Sequence, residues 1–288
     1  MGKFFKHIMV LVLMLSSMAI LLDQVYDYIF FNTSARDKVQ LAIKQKQGFV
    51  DYIFIGNSRV ENYIDCSLIE NLTGKTCENY ALSGGSYQDA FVLLHLLKKN
   101  GLTYGNLFIQ LDTSLKNEEM TTAFKASLIP FIESYDVNIE NVNLSLTWSQ
   151  RNVPFYRYAQ YDYLYGARAC AAQLYKDQDD EVELGYLPKY NTGTAKSKPL
   201  SNLTLQNRFV ELLRKQALQD QAQVYFYTSP YCSEMKNRDI FNELNSLYPG
   251  YINYASYYQN PQYFANCTHM NHEGAQVFTK QIIEDFNL

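Results

Sequence analysis

An α/β domain built on a parallel sheet is the fold this sequence predicts, and three observations predict it. Short runs of β-branched and aromatic residues recur from residue 50 onward, helical stretches separate them, and each run stops at a cluster of turn residues. Alternation of this kind gives a sheet of about five parallel strands with helices on both faces. With 288 residues, 47% of them apolar and 19% charged, the chain has enough apolar material for one elaborated domain and lies far from a disordered or fibrous composition.

The N-terminus stands apart from this pattern. Lys3 and Lys6 precede an apolar run over 8–22, and after Asp23 and Asp27 the aromatic and aliphatic character returns over 25–31. Basic residues ahead of an apolar block predict a transmembrane helix with its N-terminus in the cytoplasm and the rest of the chain outside. The run is short for a span, and Ser17, Met18 and Ala19 form an acceptable cleavage site, so a removed signal peptide competes with an uncleaved anchor. The anchor is favoured because the apolar character persists past that site. The expected division is an anchor and juxtamembrane segment at 1–34 and an α/β domain at 35–288.

Within the domain, strands are expected at 50–55, 77–81, 106–111 and 223–228, with a weaker fifth at 251–254. A helix over 87–99 carries leucines at helical spacing and stops at Gly101, another spans about 202–219, and a last one runs from 273 to 286. The stretch from 116 to 200 breaks the rhythm with a charged passage at 176–183 and a Gly/Thr/Lys/Ser/Pro-rich passage at 191–199. It is expected as an insertion or cap. Many of the 25 tyrosines fall in or near it, where they suit a partner surface, a sugar-lined groove or simple packing of a loop-rich insert.

Net charge is −4, and the lysines and arginines are scattered, which argues against a nucleic-acid partner. The five cysteines, Cys66, Cys77, Cys170, Cys232 and Cys267, show no CxxC pair and no spacing with histidine that suits zinc, so neither a metal nor another cofactor is expected. An oxidising compartment permits disulfides, for which Cys66 with Cys77 and Cys232 with Cys267 are the first candidates. Free buried thiols are the open alternative.

Ligands of open α/β sheets bind beyond the carboxyl ends of the strands. The polar groups there are Asn57, Ser58 and Arg59 after the first strand, Gly84 and Gly85 after the second, and Asp112 after the third. Asn266, His269 and His272 sit just ahead of the last helix. Each has a plainer reading in isolation: Ser58 as a helix cap, Arg59 as a surface arginine, Asp112 as a turn cap, His269 as a loop histidine.

Taken together and in order, these blocks resemble those of the SGNH/GDSL hydrolases. Gly56-Asn57-Ser58 stands for the family's Gly-Asp-Ser, and Ala81-Leu82-Ser83-Gly84-Gly85 for its second, glycine-bearing block. Asn266-Cys267-Thr268-His269, with Gly274-Ala275 beyond it, stands for its terminal Asp-x-x-His. The resemblance spans about residue 51 to the C-terminus and implies a three-layer, flavodoxin-like sheet. It implies Ser58 as nucleophile and His269 as base, with backbone N–H groups of Ser58 and of Gly84 or Gly85 holding an oxyanion. Asn57, Arg59 and Asp112 are the adjacent groups expected at the substrate, and Asn266 takes the position of the orienting aspartate.

Two departures qualify it. The third strand ends Gln110-Leu111-Asp112-Thr113 with no Gly-x-Asn-Asp, and Asn266 carries no charge with which to stabilise an imidazolium. With its anchor, the chain resembles bacterial SGNH-like proteins that work beside a multi-span membrane acyltransferase, such as those of teichoic-acid D-alanyl transfer and alginate O-acetylation. That likeness implies an extracytoplasmic esterase or acyltransferase acting on O-acyl groups of a cell-envelope polysaccharide. A catalytically inactive domain that binds a glycan or the acyltransferase is the alternative.

Overall fold

The computed structural model describes residues 2–135, 139, 142, 144–175, 185–193, 199, 200 and 203–288. The charged passage at 176–183, much of 191–199 and the expected first residue of the helix at 202 lie outside the described residues. In chain order the regular elements begin with α1 (Gly2–Asn32), α2 (Lys38–Lys44), β1 (Phe49–Ile55), α3 (Ser58–Glu61), α4 (Cys66–Thr73), β2 (Cys77–Asn79), α5 (Tyr87–Lys99) and β3 (Thr103–Gln110). Five short helices follow: α6 (Thr122–Leu128), α7 (Trp148–Asn152), α8 (Tyr156–Ala159), α9 (Asp162–Tyr165) and α10 (Ala167–Tyr175). The chain then returns to α11 (Arg208–Gln219), β4 (Gln223–Thr228), β5 (Ile252–Asn253), the hairpin strands β6 (Phe264–Asn266) and β7 (His269–Met270), and α12 (His272–Phe286).

These elements form two compact units: Gln45–Thr121 with Asp180–Leu288, and Met1–Lys44 with Thr122–Asp179. The expected boundary at 34/35 therefore falls inside the second of these, and the stretch 116–200 is shared between them.

The first unit holds the sheet, in the order β2-β1-β3-β4-β5, with every pair parallel. Ile53, Phe54, Leu107, Phe108 and Ile109 are all buried, which is why β1 and β3 read as unbroken apolar runs rather than alternating ones. The register aligns Phe54 with Phe108 and Phe108 with Tyr225. Their rings stack at 4.4 and 4.8 Å between centroids, and Phe286 of α12 meets Phe108 and Tyr225 at 5.2 Å. On the other face α5 packs on α11, with Phe91 5.9 Å from Phe209. Right-handed crossovers place helices on opposite faces when the strand order runs first to one side and then to the other.

Local chemistry sets the element ends. Ser86 and Asp89 form a reciprocal cap at the start of α5, and Gly101, at φ +98°, supplies the left-handed residue just past its end. The helix expected from 202 begins at Arg208 because Asn207 caps it, its side-chain oxygen accepting from the Phe209 N–H at 2.9 Å. The same side chain donates to the carbonyls of Leu115 and Asn117 at 2.9 and 3.1 Å. Its apolar pattern begins earlier, but the cap decides the boundary.

Both candidate disulfides form, Cys66–Cys77 and Cys232–Cys267, and Cys170 remains a buried thiol. The second bridge closes a separation of 35 residues, for which loop-closure entropy gives about 4 kcal/mol of stabilisation. Replacing both Cys232 and Cys267 by serine should lower the unfolding free energy of this unit by roughly that amount. Urea titration of the variant against the oxidised protein measures it; an unchanged midpoint would show the bridge does not constrain the unfolded chain.

In the other unit, α1 is a single helix whose mean hydropathy of 2.2 and length suffice to cross a membrane. Its apolar side chains from Phe4 to Leu21 are exposed, whereas Tyr26, Ile29 and Phe30 are buried. The change comes at Asp23 and Asp27. Arg157 of α8 donates to Asp23 through Nε and Nη2 at 3.1 and 3.0 Å and to Asp27 at 2.6 Å, and the Tyr158 hydroxyl donates to Asp27. Tyr26 packs on Phe155 and Tyr158, with centroids 5.0 and 5.1 Å apart. One face of the stretch at 25–31 thus packs into a protein core through Tyr26, Ile29 and Phe30, while Val25 and Tyr28 stay exposed, and the acidic residues Asp23 and Asp27 are paired.

Candidate active site

The order 2-1-3 about β1 opens a crevice at the carboxyl ends of β1 and β3, where the strand connections diverge. Gly56 follows β1 there. A Cβ at this position would lie 2.5 Å from a Val60 methyl and 2.7 Å from the Gln110 side-chain oxygen, so the turn admits no side chain. Gly56→Ala should cost about 1–3 kcal/mol through overpacking and displace Ser58. A chemical-denaturation midpoint equal to that of the unmodified chain would contradict this.

Asn57, not Ser58, caps α3. Its Oδ1 accepts from the Arg59 N–H at 3.0 Å and its Nδ2 donates to Asp112 Oδ2 at 2.6 Å. Ser58 is the first helical residue, so its hydroxyl has no capping duty, and Oγ lies 2.9 Å from Nε2 of His269.

The histidine arrives on a hairpin that sequence reading did not find. β6 and β7 pair antiparallel, with Asn266 opposite His269. The Asn266 side-chain oxygen accepts from the Thr268 N–H at 2.9 Å, the His269 N–H at 3.0 Å and the Thr268 hydroxyl at 2.9 Å, and lies 3.2 Å from His269 Nδ1. The Thr268 hydroxyl is also 3.1 Å from Nδ1, but its one proton points to Asn266. Nδ1 is therefore the donor, and Nε2 keeps the lone pair facing Ser58. The Tyr63 hydroxyl donates to the Thr268 carbonyl at 2.7 Å, and the Cys232–Cys267 bridge ties the hairpin to the loop after β4.

Electrostatics keep this imidazole neutral. Burial, then the positive charges of Lys189 and Arg59, push the His269 pKa down to about 4. Among the described residues no hydrogen bond or ion pair links His269 to a carboxylate: Asp112 accepts from Asn57, from Gln110 at 3.1 Å and from Ser114 N and Oγ at 2.7 and 2.5 Å, and caps a short turn after β3.

Arg59 also departs from its surface reading. It is 4% exposed, donates to the Ser229 and Pro230 carbonyls, and stacks its guanidinium 3.5 Å from the Tyr231 ring centroid. Burial works against its charge, yet Tyr231, Tyr63 and Asp112 outweigh that and raise its pKa. The side chain braces the walls of the crevice, while its buried Nε and Nη1 have no hydrogen-bond partner among the described residues.

The second block forms a tight turn beside the serine. The Leu82 N–H donates to the Gly56 carbonyl and the Gly85 N–H to the Leu82 carbonyl, at 2.9 and 2.8 Å. Gly85 is thereby committed, and a Cβ on it would strike Leu82 at 2.6 Å. Gly84, at φ +67° with open space around it, is exposed, and among the described residues no hydrogen bond takes its N–H or that of Ser58. Those two donors are the ones left for a developing oxyanion.

Sequence reasoning missed the segment 185–193, which borders the helix bearing Ser58 and the hairpin bearing His269. The Leu187 N–H donates to the Glu61 carbonyl and the His272 N–H to the Lys189 carbonyl, at 2.9 and 2.7 Å. Asn191 donates to the Ala265 carbonyl at 3.2 Å. His272, the rival base, has its Nδ1 3.0 Å from the Tyr186 hydroxyl and starts α12 instead of joining Ser58. Among the described residues no cluster of three or more His, Cys, Asp or Glu side chains is placed to hold a metal ion. Compared with known proteins, the chain matches no family model and no curated protein.

Proposed function

We propose that the sheet-bearing unit is a serine esterase or acyltransferase site of the SGNH type. The observation that carries this reading is the 2.9 Å contact between Ser58 Oγ and the acceptor nitrogen of His269, with the other ring nitrogen held by Asn266. Ser58 attacks an ester carbonyl as its proton passes to Nε2. The oxyanion forms against the N–H groups of Ser58 and Gly84, and the protonated His269 returns its proton to the departing alcohol. Water or a sugar hydroxyl then resolves the acyl-serine.

The compartment follows from α1, read as an uncleaved span with Lys3 and Lys6 on the cytoplasmic side and both units outside. Two disulfides suit an oxidising exterior. An O-acylated polysaccharide of a bacterial cell envelope is the substrate this location favours, with a multi-span membrane acyltransferase as partner. Labelling of the full chain by a fluorophosphonate, with the adduct mapped to Ser58 by mass spectrometry, is the test. Absence of labelling would favour the second reading, a glycan-binding domain without turnover, to which the uncharged Asn266 lends weight.

A further inference from the structure

We propose that α7, α8 and α9 lie in the headgroup layer of the membrane that α1 crosses, presenting a belt of aromatic and aliphatic side chains to lipid. The inference rests on α1 spanning the bilayer but not on any catalytic reading. The uninterrupted apolar run of α1 ends at Leu22, and Asp23 is the first charged residue beyond it, so Asp23 marks the level where hydrocarbon gives way to headgroups. Arg157 grips both Asp23 and Asp27. At 1.5 Å per residue those carboxylates are about 6 Å apart along the axis, close to the depth of one headgroup layer, roughly 5–7 Å. Arg157 therefore fixes α8 within that layer, and Phe155, packed on Tyr26, fixes the turn before it.

The side chains around this anchor point are those that favour such a layer. Trp148 is 75% exposed and Tyr163 is 73% exposed, and Val153, Tyr156 and Leu164 are exposed as well. α7 packs on α8, with Gln150 donating to Gln160 at 2.9 Å across their ends, and α9 begins three residues after α8 ends. Tyr175 is also exposed but lies higher. Gln173 donates to the Ser34 carbonyl, and Ser34 follows the end of α1 at Asn32, which is itself about 14 Å along the helix axis from Asp23 and beyond the headgroups.

Trp148 is the chain's one tryptophan, so the unmodified protein reports on itself. The full chain is reconstituted in phosphatidylcholine/phosphatidylglycerol vesicles and its emission read with lipids brominated near the carbonyls, with lipids brominated near the chain ends, and with iodide in the buffer. The proposal expects a blue-shifted emission that loses most intensity to the shallow bromines, less to the deep ones and little to iodide. In a Trp148→Phe background, Tyr163→Trp should behave the same way and Tyr175→Trp should be quenched by iodide. Trp148 emission lost to iodide and indifferent to brominated lipid would overturn the belt. Alkaline carbonate extraction separates the two claims: a chain retained in the membrane with an iodide-sensitive Trp148 loses the belt alone, whereas an extracted chain loses the span and the belt with it.

Discussion

Ser58→Ala should reduce acyl release from p-nitrophenyl esters by at least about 10³-fold, and by up to about 10⁶-fold if nucleophile and base act as one unit. Among the described residues Ser58 Oγ has a side-chain hydrogen-bond contact with His269 alone, and helix capping is left to Asn57, so removing the hydroxyl takes away the proposed nucleophile without uncapping α3. Thermal stability should change little. Equal turnover by Ser58→Ala and the unmodified chain, both folded, would remove the proposed chemistry from this site. A residual rate is expected from Gly84 and the Ser58 N–H, since oxyanion donors act without a nucleophile.

Asn266→Asp should speed acyl transfer by roughly tenfold or more and move the acid limb of kcat/KM upward in pH. His269 acts as a base when neutral. With its pKa held near 4 by burial, Lys189 and Arg59, the unmodified chain, on the proposed reading, should keep kcat/KM down to about pH 5 and lose it as the imidazole gains a proton below that. The low pKa has a cost, because a base so weak takes a proton from serine with little driving force. A carboxylate at 266 would inherit the three backbone and hydroxyl donors that Asn266 now accepts. Its charge would favour the imidazolium, raising both the limb and the strength of the base. A limb near pH 6.5 in the unmodified enzyme, or no movement in the variant, would show that the charges around His269 are not as described. Removing the Lys189 charge should shift the limb in the same direction.

The residues that sequence reasoning located are those that strand-end logic can reach. Ser58 and Asp112 each follow a strand whose buried apolar run is visible without coordinates, whereas Gly84 follows the short edge strand β2 and is marked by its glycine pair instead. The hairpin bearing His269 was not legible, since strands of two and three residues have no period to detect. The burial of Arg59, expected at the substrate or, more plainly, at the surface, was not legible because Tyr231, 172 residues away, supplies the ring that covers it. The segment 185–193 was hidden inside a stretch read as one insertion. A usable signal did exist for the other part of that stretch: Asp23 and Asp27 within apolar sequence needed a cation, and Arg157 supplies it.

The two links of the proposed relay differ in how they are made. Asn266 and His269 are three residues apart on one hairpin, whereas Ser58 and His269 are separated by 211 residues. A serine without its base is a poor nucleophile. On the proposed topology Ser58 emerges from the membrane 211 residues ahead of His269. On the proposed reading, a partly exported chain carries no armed nucleophile, and reactivity switches on only when the C-terminal hairpin docks beside β1.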